Sequence, residues 1–342
     1  MGIKRTDFGV LETGDIVSLY ALECGPLRAT VTDYGATLVS LLLPPHEAGG
    51  EDICLGFSTL AGYTSKHPHF GATVGRVAGR IGGASFKLGG REYPLDANDG
   101  RASLHGGHRG FDRHLWKGDA YEEGGEPRLR LSRRSPAGEE GYPANLDVVL
   151  TFGLSRSQEL ILGFEAKSDG RTVVNLTNHA YFNLRGEGRG DIASHEIEIR
   201  ASRYVETGEG LVPTGRILPV EGSPYDLRKP RPLAEGIASL GGFDTCFVID
   251  RDDSFLSDFG TVTEPGTGRR MVLRSSFPGL QFYTGNFLSG EIGKHGARYQ
   301  RHAGFCLEAQ YFPDAPNHPE FPSIELPPGV VWRHETRFGF EF

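Results

Sequence analysis

The sequence predicts an all-β protein, a sandwich or barrel with a few short helices. Three observations carry that prediction. Short runs rich in Val, Ile, Leu, Phe and Thr recur along the chain. Turn formers separate them: 49 glycines and 21 prolines are spread throughout, the punctuation expected between short strands. Polar and apolar residues also alternate. Ile197 and Ile199 interleave with Glu196, Glu198 and Arg200, the period of two that a half-buried strand shows.

The elements follow in order. LRATVTDYGATLVSLLL, ELILGFEAK, SHEIEIRASRYV and GLQFYTGNFL read as strand-forming runs. Helical periodicity is confined to STLAGYTS (58–65) and RPLAEGIASL (231–240). EEGGEPR (122–128) and SPAGEEGYP (135–143) read as loops, and neither is long or biased enough to mark a domain boundary. There is no internal repeat. The chain's 342 residues are therefore expected to form one domain, 1–342, within the range that all-β sandwiches reach. A chain of this size buries a large core without disulfide or metal staples.

Charge and cysteines narrow the partners. The formal net charge is −8, from 36 basic and 44 acidic residues. No Lys/Arg-rich run is present, which argues against nucleic acid and for a small neutral or polar ligand. Cys24, Cys54, Cys246 and Cys306 are far apart, and Cys54 and Cys306 sit in apolar runs as small buried hydrophobes. The N-terminal stretch has no apolar signal-like segment, and LVSLLL is too short to span a bilayer. A cytoplasmic protein with reduced thiols and no membrane partner is expected.

Several motifs invite chemical readings. GATVGRVAGRIGG (71–83) lacks both common phosphate-cradle spacings. Its Arg76 and Arg80 read as surface loop arginines, or as a guanidinium fork brought to a polar ligand; taken alone, the surface reading is preferred. His67 and His69 form H-x-H, and His105 and His108 form H-x-x-H. No Cys or acidic partner accompanies them at a familiar zinc spacing, so no metal is expected. Asn175-Leu176-Thr177 is a formal glycosylation sequon, discounted because it lies in an apparent strand with no signal segment upstream.

Strand alternation is more informative. In NLTNHAYFNL (175–184), Leu176, Asn178, Ala180, Phe182 and Leu184 share one face. Asn175, Thr177, His179, Tyr181 and Asn183 share the other, which is uncharged, hydrogen-bonding and partly aromatic. Such a face suits the floor of a polar cleft. In GFCLEAQYF (304–312), Gly304, Cys306, Glu308 and Gln310 lie opposite Phe305, Leu307, Ala309 and Tyr311. Partial burial would raise the Glu308 pKa toward that of a general base. A structural ion pair is the competing reading. Gln281 and Tyr283 share a face in LQFYTGN, and Asp244 precedes a strand in GGFDTCF; with His105, these can hydrogen-bond sugar hydroxyls.

FGATVGRVAGRIGG, SLHGGHRGFD, GEEGYPANL, VNLTNHAYFNL, PTGRILPVEGSPYDLR, GGFDTCF, LQFYTGN and GFCLEAQYFPDAPNHPEFP occur in this order. Together they resemble the aldose 1-epimerase family, the galactose mutarotases, from about Tyr34 to the C-terminus. The resemblance implies a large antiparallel β-supersandwich with a shallow sugar cleft. It implies interconversion of the α and β anomers of an aldohexose such as galactose or glucose, with no metal and no organic cofactor. It places the catalytic base on Glu308 and the acid on His179. It places sugar binding on Arg80, His105, Asp244 and Gln281. Two positions depart from the family pattern: Gly79 and Ala102 stand where Asn is usual.

The expected mechanism needs a protonated His179 and an ionised Glu308 when substrate binds, and so a bell-shaped pH profile between about 5 and 8.5. Rival readings are a sugar-phosphate epimerase, which needs a basic pocket, and a sugar-binding module without catalysis. A glycoside hydrolase would need a pair of carboxylates. Monomer and homodimer both stay open.

Overall fold

The computed structural model describes residues 2–342. Three antiparallel sheets carry the fold. A four-stranded sheet is formed by Gly2–Val10, Ile16–Cys24, Leu27–Thr32 and Thr37–Leu42. A nine-stranded sheet runs from Lys117–Glu123 at one edge to Arg231–Pro232 at the other, with the final strand, Val331–Glu341, in its interior. A six-stranded sheet has the order Tyr181–Phe182, Phe305–Gln310, Gly279–Tyr283, Asp244–Val248, Arg203–Thr207, Pro213–Pro219.

Alternation explains how the sheets meet. In Leu146–Leu154, Leu146, Val148, Leu150, Phe152 and Leu154 are buried. They join Leu280, Phe282, Phe305, Leu307 and Ala309 of the six-stranded sheet, and Leu22, Ala29, Val31 and Leu41 of the four-stranded sheet, in one apolar cluster. Two sheets facing across such a layer make a sandwich. The opposite face of the six-stranded sheet is left for other purposes.

Both expected helices form, at Leu60–Thr64 and Leu233–Leu240. Segment 135–143 is loop with one short 3-10 turn, Glu139–Gly141. Segment 122–128 is not a loop. Lys117–Glu123 and Glu126–Ser135 form a hairpin around Gly124 and Gly125, both at positive φ. The first of these strands is exposed on both faces, so its polar sequence carries no alternation signal.

NLTNHAYFNL is not one strand either. Thr177–Asn178 pairs with Thr73–Val74, whereas Tyr181–Phe182 pairs with Phe305–Gln310. His179 lies at the crossover between them. Its N–H donates to Ala72 O (2.8 Å) and its C=O accepts from Gly71 N–H (3.0 Å). The neighbouring polar side chains bind backbone: Asn175 bridges Ala78 and Tyr311, Thr177 reaches Ala309 O, and Asn178 reaches Gly71 O. Asn175 is fully buried, in keeping with the discounted sequon.

Arg76 is not on the surface. It is buried, and its guanidinium donates to the carbonyls of Ser135, Pro136, Pro143 and Ala144 and to the Thr172 hydroxyl. Five donors in a planar fork suit this clamp on a loop. All four cysteines are free and buried. Among the described residues, no helix is long and apolar enough to cross a membrane.

Candidate active site

The outer face of the six-stranded sheet builds the floor of a cavity of about 220 Å³. Register places its side chains. Gln281 lies directly across from Glu308, and Cys246 directly across from Gln281. Asp244 sits two residues before Cys246, on the same face. Tyr181 pairs with Cys306 at the other end. The walls come from Gly79 and the short strand Arg80–Ile81, and from His105, just past its partner strand Ser103–Leu104. Arg80, His105, His179, Asp244, Gln281 and Glu308 all line this one cavity.

Gly79 has φ +77, and its N–H and C=O both bond His105: the N–H donates to Nδ1 (3.3 Å), and the C=O accepts from the His105 N–H (3.1 Å). A Cβ at Gly79 would stand 2.9 Å from the Pro313 side chain. At Gly106 a Cβ would meet Gly75 O at 2.0 Å, so only glycine lets the His105 loop lie against the 75–76 backbone.

The centre of the cavity holds one imidazole and one carboxyl. His179 Nε2 stands 3.7 Å from Glu308 Oε1, and Cys306 Sγ stands 3.5 Å from His179 Nδ1. Both side chains are almost wholly buried. The Tyr181 ring stacks on His179 at 5.1 Å. Burial disfavours the charged form of each group. It pushes His179 down to about 3, helped by His69. It pushes Glu308 well up, with the Asp244 charge adding to the shift. A histidine protonated in the empty pocket, as the sequence reading required, is therefore not what this environment favours. Glu308 Oε2 is buried with no protein partner.

Around the pair are groups suited to hydroxyls. Gln281 Nε2 donates to Asp244 Oδ1 (2.6 Å), leaving the amide oxygen and the second Asp244 oxygen for other donors. Burial raises Asp244 above the usual carboxylate range, against the pull of Arg80. Arg80 Nε donates to Asp99 Oδ2 (2.7 Å), which aims the guanidinium. Gln310 is fully buried, lines the cavity and leaves both amide atoms unpaired.

His69, Asp99, Gln310 and Phe287 were not assigned to the site from sequence. Alternation placed Gln310 on the correct face but gave it no role. Asp99 and His69 lie in loops, where no periodicity points to a face. Phe287 is 66% exposed at the rim. His67 and His69 have ring centroids 6.2 Å apart. Among the described residues, no three His, Cys, Asp or Glu side chains converge as a metal site.

A sandwich face that pairs a buried carboxyl with a buried imidazole, ringed by amides and acids, is suited to proton transfer on a polar ligand. The aldose 1-epimerase family model matches residues 18–339. Galactose mutarotase of Sus scrofa is 42% identical over 346 residues, covering 99% of each chain. Galactose mutarotase of Homo sapiens is 42% identical over 344 residues, covering 99% of this chain and 98% of that one. The crystal structure of galactose 1-epimerase from Lactobacillus acidophilus superposes with a TM-score of 0.88 at 25% identity, covering 99% of this chain and 98% of that one. The chain belongs to the aldose 1-epimerase family and is an isomerase.

Proposed function

We propose that the pocket interconverts the α and β anomers of free aldohexoses such as galactose and glucose, with Glu308 as base and His179 as acid. Residues 1–342 act as one domain in this reading. The observation that carries it is the facing pair, 3.7 Å apart, with an unpartnered carboxyl oxygen beside it. The two sugar oxygens that must exchange protons, O1 and O5, share one carbon. A carboxyl and an imidazole in contact can straddle them.

In ring opening, the Glu308 carboxylate takes the O1 proton and the His179 imidazolium gives one to O5 as the C1–O5 bond breaks. The open aldehyde then faces a protonated Glu308 and a neutral His179. Rotation about C1–C2 presents the other carbonyl face. Glu308 returns its proton to O1, His179 takes the O5 proton, and O5 attacks C1. The pair holds one proton throughout, and no group is oxidised or released. Burial favours the neutral arrangement, which is the state that closes the ring. Substrate hydroxyls donating to Glu308 favour the ionised one.

The titration therefore belongs to the pair rather than to either residue. Activity falls when the pair gains a second proton, with His179 held to about 3, or loses its only one, with Glu308 held well up. The profile should extend further to both the acid and the alkaline side than the bell expected from ordinary side-chain values. Asp244, Gln281, Arg80 and His105 hold the ring, and orientation of this kind supplies much of the acceleration.

An adjoining cavity lined by Lys66, Arg109 and Arg113 is the feature that favours a phosphorylated hexose. Exchange NMR on α-galactose, α-glucose and α-glucose 6-phosphate separates the readings. Wild-type protein should accelerate exchange of the free hexoses, and His179→Asn and Glu308→Gln should not. Wild-type exchange at the spontaneous rate would overturn the proposal. A strong preference for the phosphate would move the substrate class.

A further inference from the structure

His69 is the histidine of this pocket that the mechanism leaves without a role. Its ring lies 5.0 Å from His105 and 5.9 Å from His179, and it lines both the catalytic cavity and the neighbouring one. His69 and His105 have φ +59 and +55. Left-handed backbone is uncommon for residues other than glycine, and such strain collects at ligand sites.

Each ring has a neighbour on its Nδ1. His105 Nδ1 accepts the Gly79 N–H (3.3 Å), so its proton sits on Nε2, a donor. His69 Nδ1 stands 3.2 Å from Asp112 Oδ2, at ion-pair distance though outside strict hydrogen-bond geometry. Asp112 is buried, and Arg113 Nε lies 3.1 Å from the same oxygen. An ionised carboxylate only accepts, so His69 presents a proton to it from Nδ1. That leaves Nε2 as the ring nitrogen free to meet a ligand. The His69 side chain is 27% exposed, open enough to meet a ligand.

We propose that His69, held against Asp112, pairs with His105 to grip one sugar hydroxyl and so sets which hexose epimer the pocket prefers. A hydroxyl donates one hydrogen bond and accepts others, so a single hydroxyl can meet a nitrogen of each ring. An epimer whose hydroxyl points elsewhere leaves both rings unpaired, and unmet polar groups in a site are what discriminate strongly. The inference rests on the proposed sugar chemistry, and His69 is a binding residue in it, not a proton-transfer group.

The test measures kcat and KM for galactose and glucose with wild type, His69→Phe, His69→Gln and Asp112→Asn, with melting temperatures alongside. His69→Phe should raise KM for the preferred epimer about tenfold, the equivalent of ~1.4 kcal/mol. The loss should appear in KM rather than kcat, and the galactose-to-glucose preference should shrink. His69→Gln should recover part of it. Asp112→Asn touches no substrate, yet it removes the carboxylate that faces His69 Nδ1. It should shrink the same preference, and it keeps the test decisive if His69→Phe fails to fold. Wild-type preference in both His69→Gln and Asp112→Asn overturns the inference, as does a fall in kcat with KM unchanged. A wild type that does not mutarotate removes the proposed function itself; one that does, with variants unchanged in preference, removes only the role of His69.

Discussion

Glu308→Gln separates catalysis from stability in one substitution. The change keeps size and shape but removes ionisation. Loss of a positioned proton-transfer group costs about 10²–10⁴ in rate, so exchange of α-galactose should fall by at least that lower bound. Stability should move the other way. Glu308 is buried, with Oε2 unpartnered, and its pKa is raised well above the ordinary carboxylate value by burial. A folded pKa above the unfolded one means that wild type loses stability as pH rises between the two. Each unit of elevation amounts to about 1.4 kcal/mol once the group is ionised. The variant escapes that penalty. Urea unfolding should therefore show nearly equal stabilities at pH 4, and a variant at least as stable as wild type at pH 8. The assay pairs exchange NMR with unfolding at both pH values. A variant that keeps its rate within tenfold, or that loses ground to wild type as pH rises, would refute the argument.

Three further outcomes can be measured directly. Gly79→Asn places a Cβ 2.9 Å from the Pro313 side chain; Asn tolerates the left-handed backbone, so overpacking of about 1–3 kcal/mol is expected, with KM altered by a new amide at the cavity wall. Thermal melts and KM check both parts. Arg76→Met strips donors from four carbonyls and from Thr172 and should cost roughly 3 kcal/mol or more, since buried acceptors are left unmet; a smaller loss of unfolding free energy in urea would contradict the clamp. Acid should destabilise the fold below pH 6.5, because burial pushes His179 down to about 3 and His195 to about 4. These groups bind protons in the unfolded chain first, so each removes roughly 2 kcal/mol by pH 5. Asp244 and Glu308, both pushed up by burial, give part of it back. Unfolding at pH 7 and pH 5 would show the balance.

Much of this architecture was legible in the chain. Alternation put Phe305, Leu307 and Ala309 on one face and Cys306, Glu308 and Gln310 on the other; the sheet packs the first set into the core and turns Glu308 and Gln310 to the cavity. It succeeded because strand side chains must point to alternate faces whatever the tertiary context. The same rule placed His179 among uncharged polar neighbours but took NLTNHAYFNL for a single strand. The crossover there depends on segments about a hundred residues away in sequence, at Gly71–Thr73 and at Phe305.

The sequence by itself determined the fold class, the family and, through resemblance to it, six residues that converge on one cavity. Only the tertiary structure decided their protonation, because burial depends on everything packed around a group and not on its neighbours in the chain. It also decided the roles of residues in loops, where no period constrains the side chain. Arg76 proved a buried clamp rather than a surface charge, Asp99 aims Arg80, and Asp112 lies 3.2 Å from His69 Nδ1 at the cavity wall.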